Sequence, residues 1–151
     1  MKKFLAILIL GLLWCNVGFA LGGDGLKGLK LIDLVIEKTN NCGVTNNDIE
    51  KEVRYVLSNS KIKLKKDINI ESLWIAPNII KSTNRCSGSI YFEVSKIGYL
   101  VNSAGVKYVG REVLYSKGHL VIDNASDFKN SFLQRIELMT KDLVILWTEV
   151  N

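Results

Sequence analysis

Residues Ser87–Val101 read SGSIYFEVSKIGYLV, which puts Ile90, Phe92 and Val94 on one side of an extended chain and Tyr91, Glu93 and Ser95 on the other. Asn102-Ser103-Ala104-Gly105 is a turn, and Val106–Tyr115 (VKYVGREVLY) returns as the partner strand. A hairpin of this length commits the chain to an antiparallel sheet, and a two-stranded ribbon is not stable alone. The rest of the sequence must supply further strands and a layer to cover the apolar side. Gly110 within the returning strand predicts a bulge or bend.

The segments before the hairpin meet that need. Leu29–Lys38 is a first strand, with Ile32, Leu34 and Ile36 on one face and Leu31, Asp33, Val35 and Glu37 on the other. The second face is only half polar, which predicts a place inside the sheet. Thr39–Gly43 is the turn out. Thr45-Asn46-Asn47-Asp48 reads as a capping box, opening an amphipathic helix over Asp48–Asn59. Its stripe is Ile49, Val53, Val56 and Leu57, with Glu50, Lys51, Glu52 and Arg54 facing away. Lys61–Lys66 alternates so that Ile62 and Leu64 point inward and the lysines outward, as a solvated face that guards an edge, with an anionic-ligand stripe as the alternative. Ile68–Lys81 holds a strand centred on Leu73–Ala76, with Trp74 as packing. Pro77 either ends the pairing or sits where the ladder needs no donor.

After the hairpin, Ser116–His119 predicts a second turn and Leu120–Ile122 a short strand. Ser126 is the expected cap of a final helix, Asp127–Val150, with Phe128, Phe132, Ile136, Met139, Leu143, Leu146 and Val150 at three- and four-residue steps. Leu143–Trp147 is apolar all round, leaving two alternatives: deep burial, or a partner surface made by Leu143, Leu146 and Trp147. The order predicts an α+β two-layer sandwich, β-α-β-β-β-β-α. Its sheet is mixed, mostly antiparallel and four- or five-stranded, with both helices on one face.

The start of the chain sets the compartment. Met1-Lys2-Lys3 precedes an apolar block, Phe4–Trp14, that is short for a bilayer, and Gly18 and Ala20 are the small residues a signal peptidase needs. The expectation is an export signal over residues 1–20, cut after Ala20. A flexible glycine-rich leader follows over 21–28, then a single domain over 29–151. Retention as an anchor is the alternative. Lipidation at Cys15 requires a small residue before it, and Trp14 stands there. The formal charge is +5; without Lys2 and Lys3 it is about +3, too mild for a nucleic-acid partner. The expected location is the periplasm, with membrane contact only through the signal.

Cys42 and Cys86 then remain as an even pair in an oxidising compartment, set among polar residues. A disulfide between them would close a loop of about 45 residues, worth about 4 kcal/mol on the chain-entropy model.

Catalytic chemistry is thinly supplied. His119 is the only histidine, so one chain offers no two-histidine metal site. H-E-x-x-H, G-x-S-x-G and G-x-x-x-x-G-K-[ST] are absent. Gly23-Asp24-Gly25-Leu26-Lys27-Gly28 matches G-x-G-x-x-G, but it leads into a β run and so fails as a dinucleotide fingerprint. Acid pairs such as Asp33 with Glu37 or Glu50 with Glu52 have no apolar setting to split their pKa values. No catalytic residue, metal ligand or cofactor is expected.

Gly25-Leu26-Lys27-Gly28-Leu29 before the first strand and Asp142–Asn151 as a closing helix resemble small exported bacterial proteins of unknown function. In outline the order of elements also resembles the amino-terminal domain of TolB and the LptE-type envelope assembly proteins. That resemblance implies a non-enzymatic binding or assembly module of the cell envelope with a protein partner. A periplasmic small-ligand binder using Trp74, Tyr91 and Tyr99 is the alternative, and a small hydrolase built on His119 and Asp123 the third.

Overall fold

The computed structural model describes residues 23–66 and 71–151. The expected signal and its cleavage after Ala20, and Ile68–Ile70 at the start of one expected strand, lie outside the described residues. A 3-10 turn over Gly23–Leu26 leads into β1 (Leu31–Ile36), the two-residue strands β2 (Asn40–Asn41) and β3 (Val44–Thr45), and helix α1 (Asn46–Ser58). Then come β4 (Lys63–Leu64), β5 (Glu71–Lys81), β6 (Arg85–Val101), β7 (Lys107–Asn124) and helix α2 (Phe128–Val150). The main sheet has five strands in the order β4-β1-β5-β6-β7, and β2 and β3 form a separate hairpin. β1 is parallel to both its neighbours, while β5-β6 and β6-β7 are antiparallel. The protein is thus an α+β fold with a mixed, mostly antiparallel sheet.

The two-residue rhythm sorts the sheet into faces. Leu73, Ile75 and Ile79 of β5 and Ile90, Phe92 and Val94 of β6 are buried beneath Ile49, Val53 and Leu57 of α1 and Phe128, Phe132, Ile136, Met139 and Leu143 of α2. Burying each such side chain contributes about 1.5–3 kcal/mol, so this single layer is the main source of stability. The close approach of α2 depends on Gly88. A Cβ there would lie 2.9 Å from Phe128 Cζ and 3.0 Å from Phe132 Cε2. The capping box at α1 is complete: Thr45 Oγ1 accepts from the Asp48 amide and the Asp48 carboxylate accepts from the Thr45 amide. Lys129 Nζ sits 2.9 Å from Asp48 Oδ1, joining the helices and holding the Asp48 carboxyl below its ordinary range.

Several elements depart from expectation. Ser116–His119 is not a turn: β7 runs unbroken, and Gly118 pairs with Tyr91. The pull of a long, ordered partner strand overrides the turn propensity of Lys-Gly. The irregularity in the ladder falls at Leu114, between the Val94–Tyr115 and Ser95–Val113 pairs, and Gly110 simply opposes Gly98. Pro77 does not end β5. The Ile75 carbonyl accepts from the Glu37 amide on the β1 side (2.9 Å), so Pro77, two residues on, faces that side after β1 has ended. No ladder donor is missed there. Ser126 is not the cap of α2; Asp127 holds that position without a side-chain cap. The 21–28 stretch is not wholly free chain either, because Leu26 is fully buried and Asn151 Nδ2 donates to its carbonyl (3.2 Å).

The expected pairing of the two cysteines is present. Cys42 and Cys86 form a disulfide that ties the β2–β3 turn to the start of β6. Cys42 and Gly43 both have positive φ (50° and 76°), the left-handed pair a two-residue hairpin turn requires.

Candidate binding face

Both helices lie on one side of the sheet, and among the described residues no helix covers the other side. That uncovered face carries Val35 of β1, Trp74, Ala76 and Ile80 of β5, Tyr91, Glu93, Ser95, Ile97 and Tyr99 of β6, and Val109, Arg111, Leu120 and Ile122 of β7. Its centre is polar and already assembled. Glu93 is 5 % exposed, an unusual place for a carboxylate. The Tyr91 hydroxyl donates to Glu93 Oε2 (2.7 Å), and the Arg111 guanidinium pairs with Glu93 Oε1. Arg111 Nε also donates to Ser95 Oγ (2.9 Å), and its Cζ lies 5.1 Å from the Trp74 ring centroid. Trp74 meets Tyr91 edge to face at 5.7 Å. Donation to the carboxylate, with burial, pushes the Tyr91 hydroxyl above its ordinary ionisation range.

Around that centre the face is apolar and exposed. Toward one end, Tyr99 (77 % exposed) opposes Val109 (67 %), with Ile97 and Val101 on the same side of β6. Toward the other, Ile80 and Ile122 flank Ser87 across three strands, and Leu120 pairs with Ser89. Beyond the rows shared with the described part of β5, β6 and β7 stay paired from Ile97–Arg111 to the Asn102–Gly105 turn. The sequence pattern identified Trp74, Tyr91 and Tyr99 but missed the Glu93–Arg111 pair. The alternation that places both on this face could have found it.

Other expected sites fare differently. Leu143 is fully buried and Trp147 is 8 % exposed, its indole N–H donating to the Leu29 carbonyl (2.7 Å). Leu146 is half-buried against the core. The partner surface expected of Leu143, Leu146 and Trp147 is therefore largely consumed in packing, and α2 exposes Leu138 and Ile145 instead. His119 and Asp123 are not brought together: four residues apart on one extended strand, they are separated by about 13 Å. Asp123 instead accepts from the Ser131 hydroxyl (2.5 Å). Burial first, then the charges of Arg135 and Lys117, holds the His119 imidazole below its ordinary pKa. Among the described residues no group of histidine, cysteine or acidic side chains could hold a metal ion, and no helix is long and apolar enough to cross a membrane.

No family model matches the chain, and no curated protein matches it. Among solved structures, a minor lipoprotein from Acinetobacter baumannii is similar at 12 % identity and a TM-score of 0.42, over 82 % of this chain and 94 % of that one. A protein of Caulobacter crescentus CB15, described provisionally as a lipoprotein, is similar at 10 % identity and a TM-score of 0.38, over 85 % of this chain and 96 % of that one. Likeness at this level carries nothing about function. Neither likeness shows a resemblance to TolB or LptE, which stays one of element order.

Proposed function

We propose that the protein is an exported, non-enzymatic binding module of the cell envelope, working in the periplasm and engaging an envelope protein through its uncovered sheet face. The observation that carries this is the exposure of Tyr99, Val109, Ile80, Leu120 and Ile122 on one face, each more than three-fifths open to solvent. Apolar side chains grouped in this way on a small domain mark an interaction surface. The Glu93–Arg111 pair at the middle, with its carboxylate buried, supports the same reading, because a charged pair fixed in place sets orientation and rejects wrong partners. Export rests on the leader and fits the Cys42–Cys86 disulfide, since such bonds persist in oxidising compartments.

The small-ligand alternative is weaker. Trp74, the natural shelf for a planar ligand, already has Arg111 over its ring and Tyr91 against it. The test is a capture experiment from envelope extract with the wild-type protein and the variants Val109→Glu and Leu120→Glu. Both positions are exposed, so folding is retained while a charge enters the face. A partner held by the wild type and lost from both variants supports the reading; a partner held equally by all three refutes it.

A further inference from the structure

A second surface lies at the opposite edge of the sheet, where β1 and β4 meet the end of α2. A cleft of about 540 Å³ is lined there by Lys30, Leu31, Lys61, Lys63, Trp147 and Asn151. The backbone brings the lysines together. Leu31 pairs with Lys63 in the parallel ladder, and the Lys63 amide donates to the Lys30 carbonyl (2.9 Å). All three lysines are exposed, and among the described residues no acidic side chain lines the cleft. The ion pairs among the described residues use Arg54, Lys96, Arg111, Lys117, Lys129 and Lys141, and none of the cleft lysines. Lys63 Nζ donates to the Ser60 carbonyl (3.1 Å), which leaves its charge uncompensated. Lys27 precedes the Gly28 amide bound to Asn151 Oδ1 (2.6 Å), and Lys65 and Lys66 continue past β4. Three uncompensated ammonium groups over an apolar floor of Leu31 and Trp147 match an anionic amphiphile, since each part meets its complement.

From these observations we infer that this cleft binds the anionic headgroups of a phospholipid surface, the lysines meeting phosphate and the floor meeting the first acyl methylenes. The apolar floor favours a membrane over a free phosphate ester, because an ester without acyl chains would leave Leu31 and Trp147 unmatched. Juxtamembrane lysines are drawn to anionic lipid by about 1 kcal/mol each. This inference shares only export with the sheet-face reading.

The test is co-sedimentation of the full protein with phosphatidylglycerol vesicles and with phosphatidylcholine vesicles at 0.15 M salt, read as the ratio of the two affinities. A retained apolar leader would add equally to both and cancel. The expected result is preference for phosphatidylglycerol, reduced about a hundredfold by Lys30→Gln/Lys61→Gln/Lys63→Gln. The control Lys38→Gln/Lys51→Gln/Lys81→Gln, at exposed lysines elsewhere, retains the preference. Millimolar glycerol phosphate should fail to displace the vesicles. Equal loss in both triple variants reduces the effect to net charge and overturns the proposal. So does equal binding to phosphatidylcholine, and displacement by glycerol phosphate assigns the cleft to a soluble ester instead.

Discussion

Removing the Arg111 guanidinium would leave Glu93, whose side chain is 6 % exposed, without its cation. Breaking a fully buried pair in this way costs about 3–5 kcal/mol. Here the arginine side chain is 46 % exposed and the Tyr91 hydroxyl still donates to the carboxylate, so the loss in Arg111→Met should be about 2 kcal/mol. In a domain of this size that lowers Tm by about 7 °C. Glu93→Gln keeps an acceptor for Tyr91 and frees an arginine that can reach water, and should cost about 1 kcal/mol. The double variant should cost about 1 kcal/mol as well, giving a coupling of about 2 kcal/mol in urea unfolding. Additivity within about 0.5 kcal/mol would mean that the two groups do not act as a pair. The centre of the face would then be ordinary solvated surface, and the reasoning fails.

Three further outcomes follow from the geometry. Reduction of Cys42–Cys86, or Cys42→Ser/Cys86→Ser, should lower unfolding stability by about 4 kcal/mol for a loop of this length. Native protein should give no free thiol under denaturant. Gly88→Ala should cost about 1–3 kcal/mol by overpacking against Phe128 and Phe132, with the folded circular dichroism spectrum retained; an unchanged urea midpoint would contradict the packing. His119 is held below its ordinary pKa of 6.5, so the unfolded chain binds its proton first as pH falls. Its neutral form therefore stabilises the fold fully above about pH 6.5, and that contribution is lost as pH drops toward the lower folded pKa. His119→Gln should flatten this slope between wild-type stability curves; an unaltered slope would rule it out.

The hairpin, the first strand and both helices were legible because their residues alternate or repeat without interruption. Ile49, Val53, Val56 and Leu57 lie where the stripe put them, and Thr45 caps as its spacing requires. The errors share a cause: local signals were weighed without the partner strand. Ser116–His119 looks like a turn until β6 is opposite it, whereas Pro77 takes the second of its two expected places, where the ladder needs no donor because β1 has ended beside it. Of Leu143–Trp147, Leu143 and Trp147 take the buried alternative, Trp147 reaching back to Leu29, a contact 118 residues away in sequence, while Ile145 stays exposed. The Glu93–Arg111 pair was similarly invisible, being set by the register of two strands and the offset at Leu114. Function was less legible still, since the surface that carries the proposal has no motif, only a face left uncovered.

Photo-crosslinking in living cells tests that face most directly. A crosslinking residue at position 99 or 120 replaces Tyr99 or Leu120 on the uncovered sheet; at 55 or 145 it replaces Tyr55 or Ile145 on the helical side, at comparable exposure. A discrete adduct from the two sheet positions and none from the two helical ones is the predicted result. Adducts from the helical positions alone, or equally from all four, would contradict the assignment of the sheet as the surface that binds.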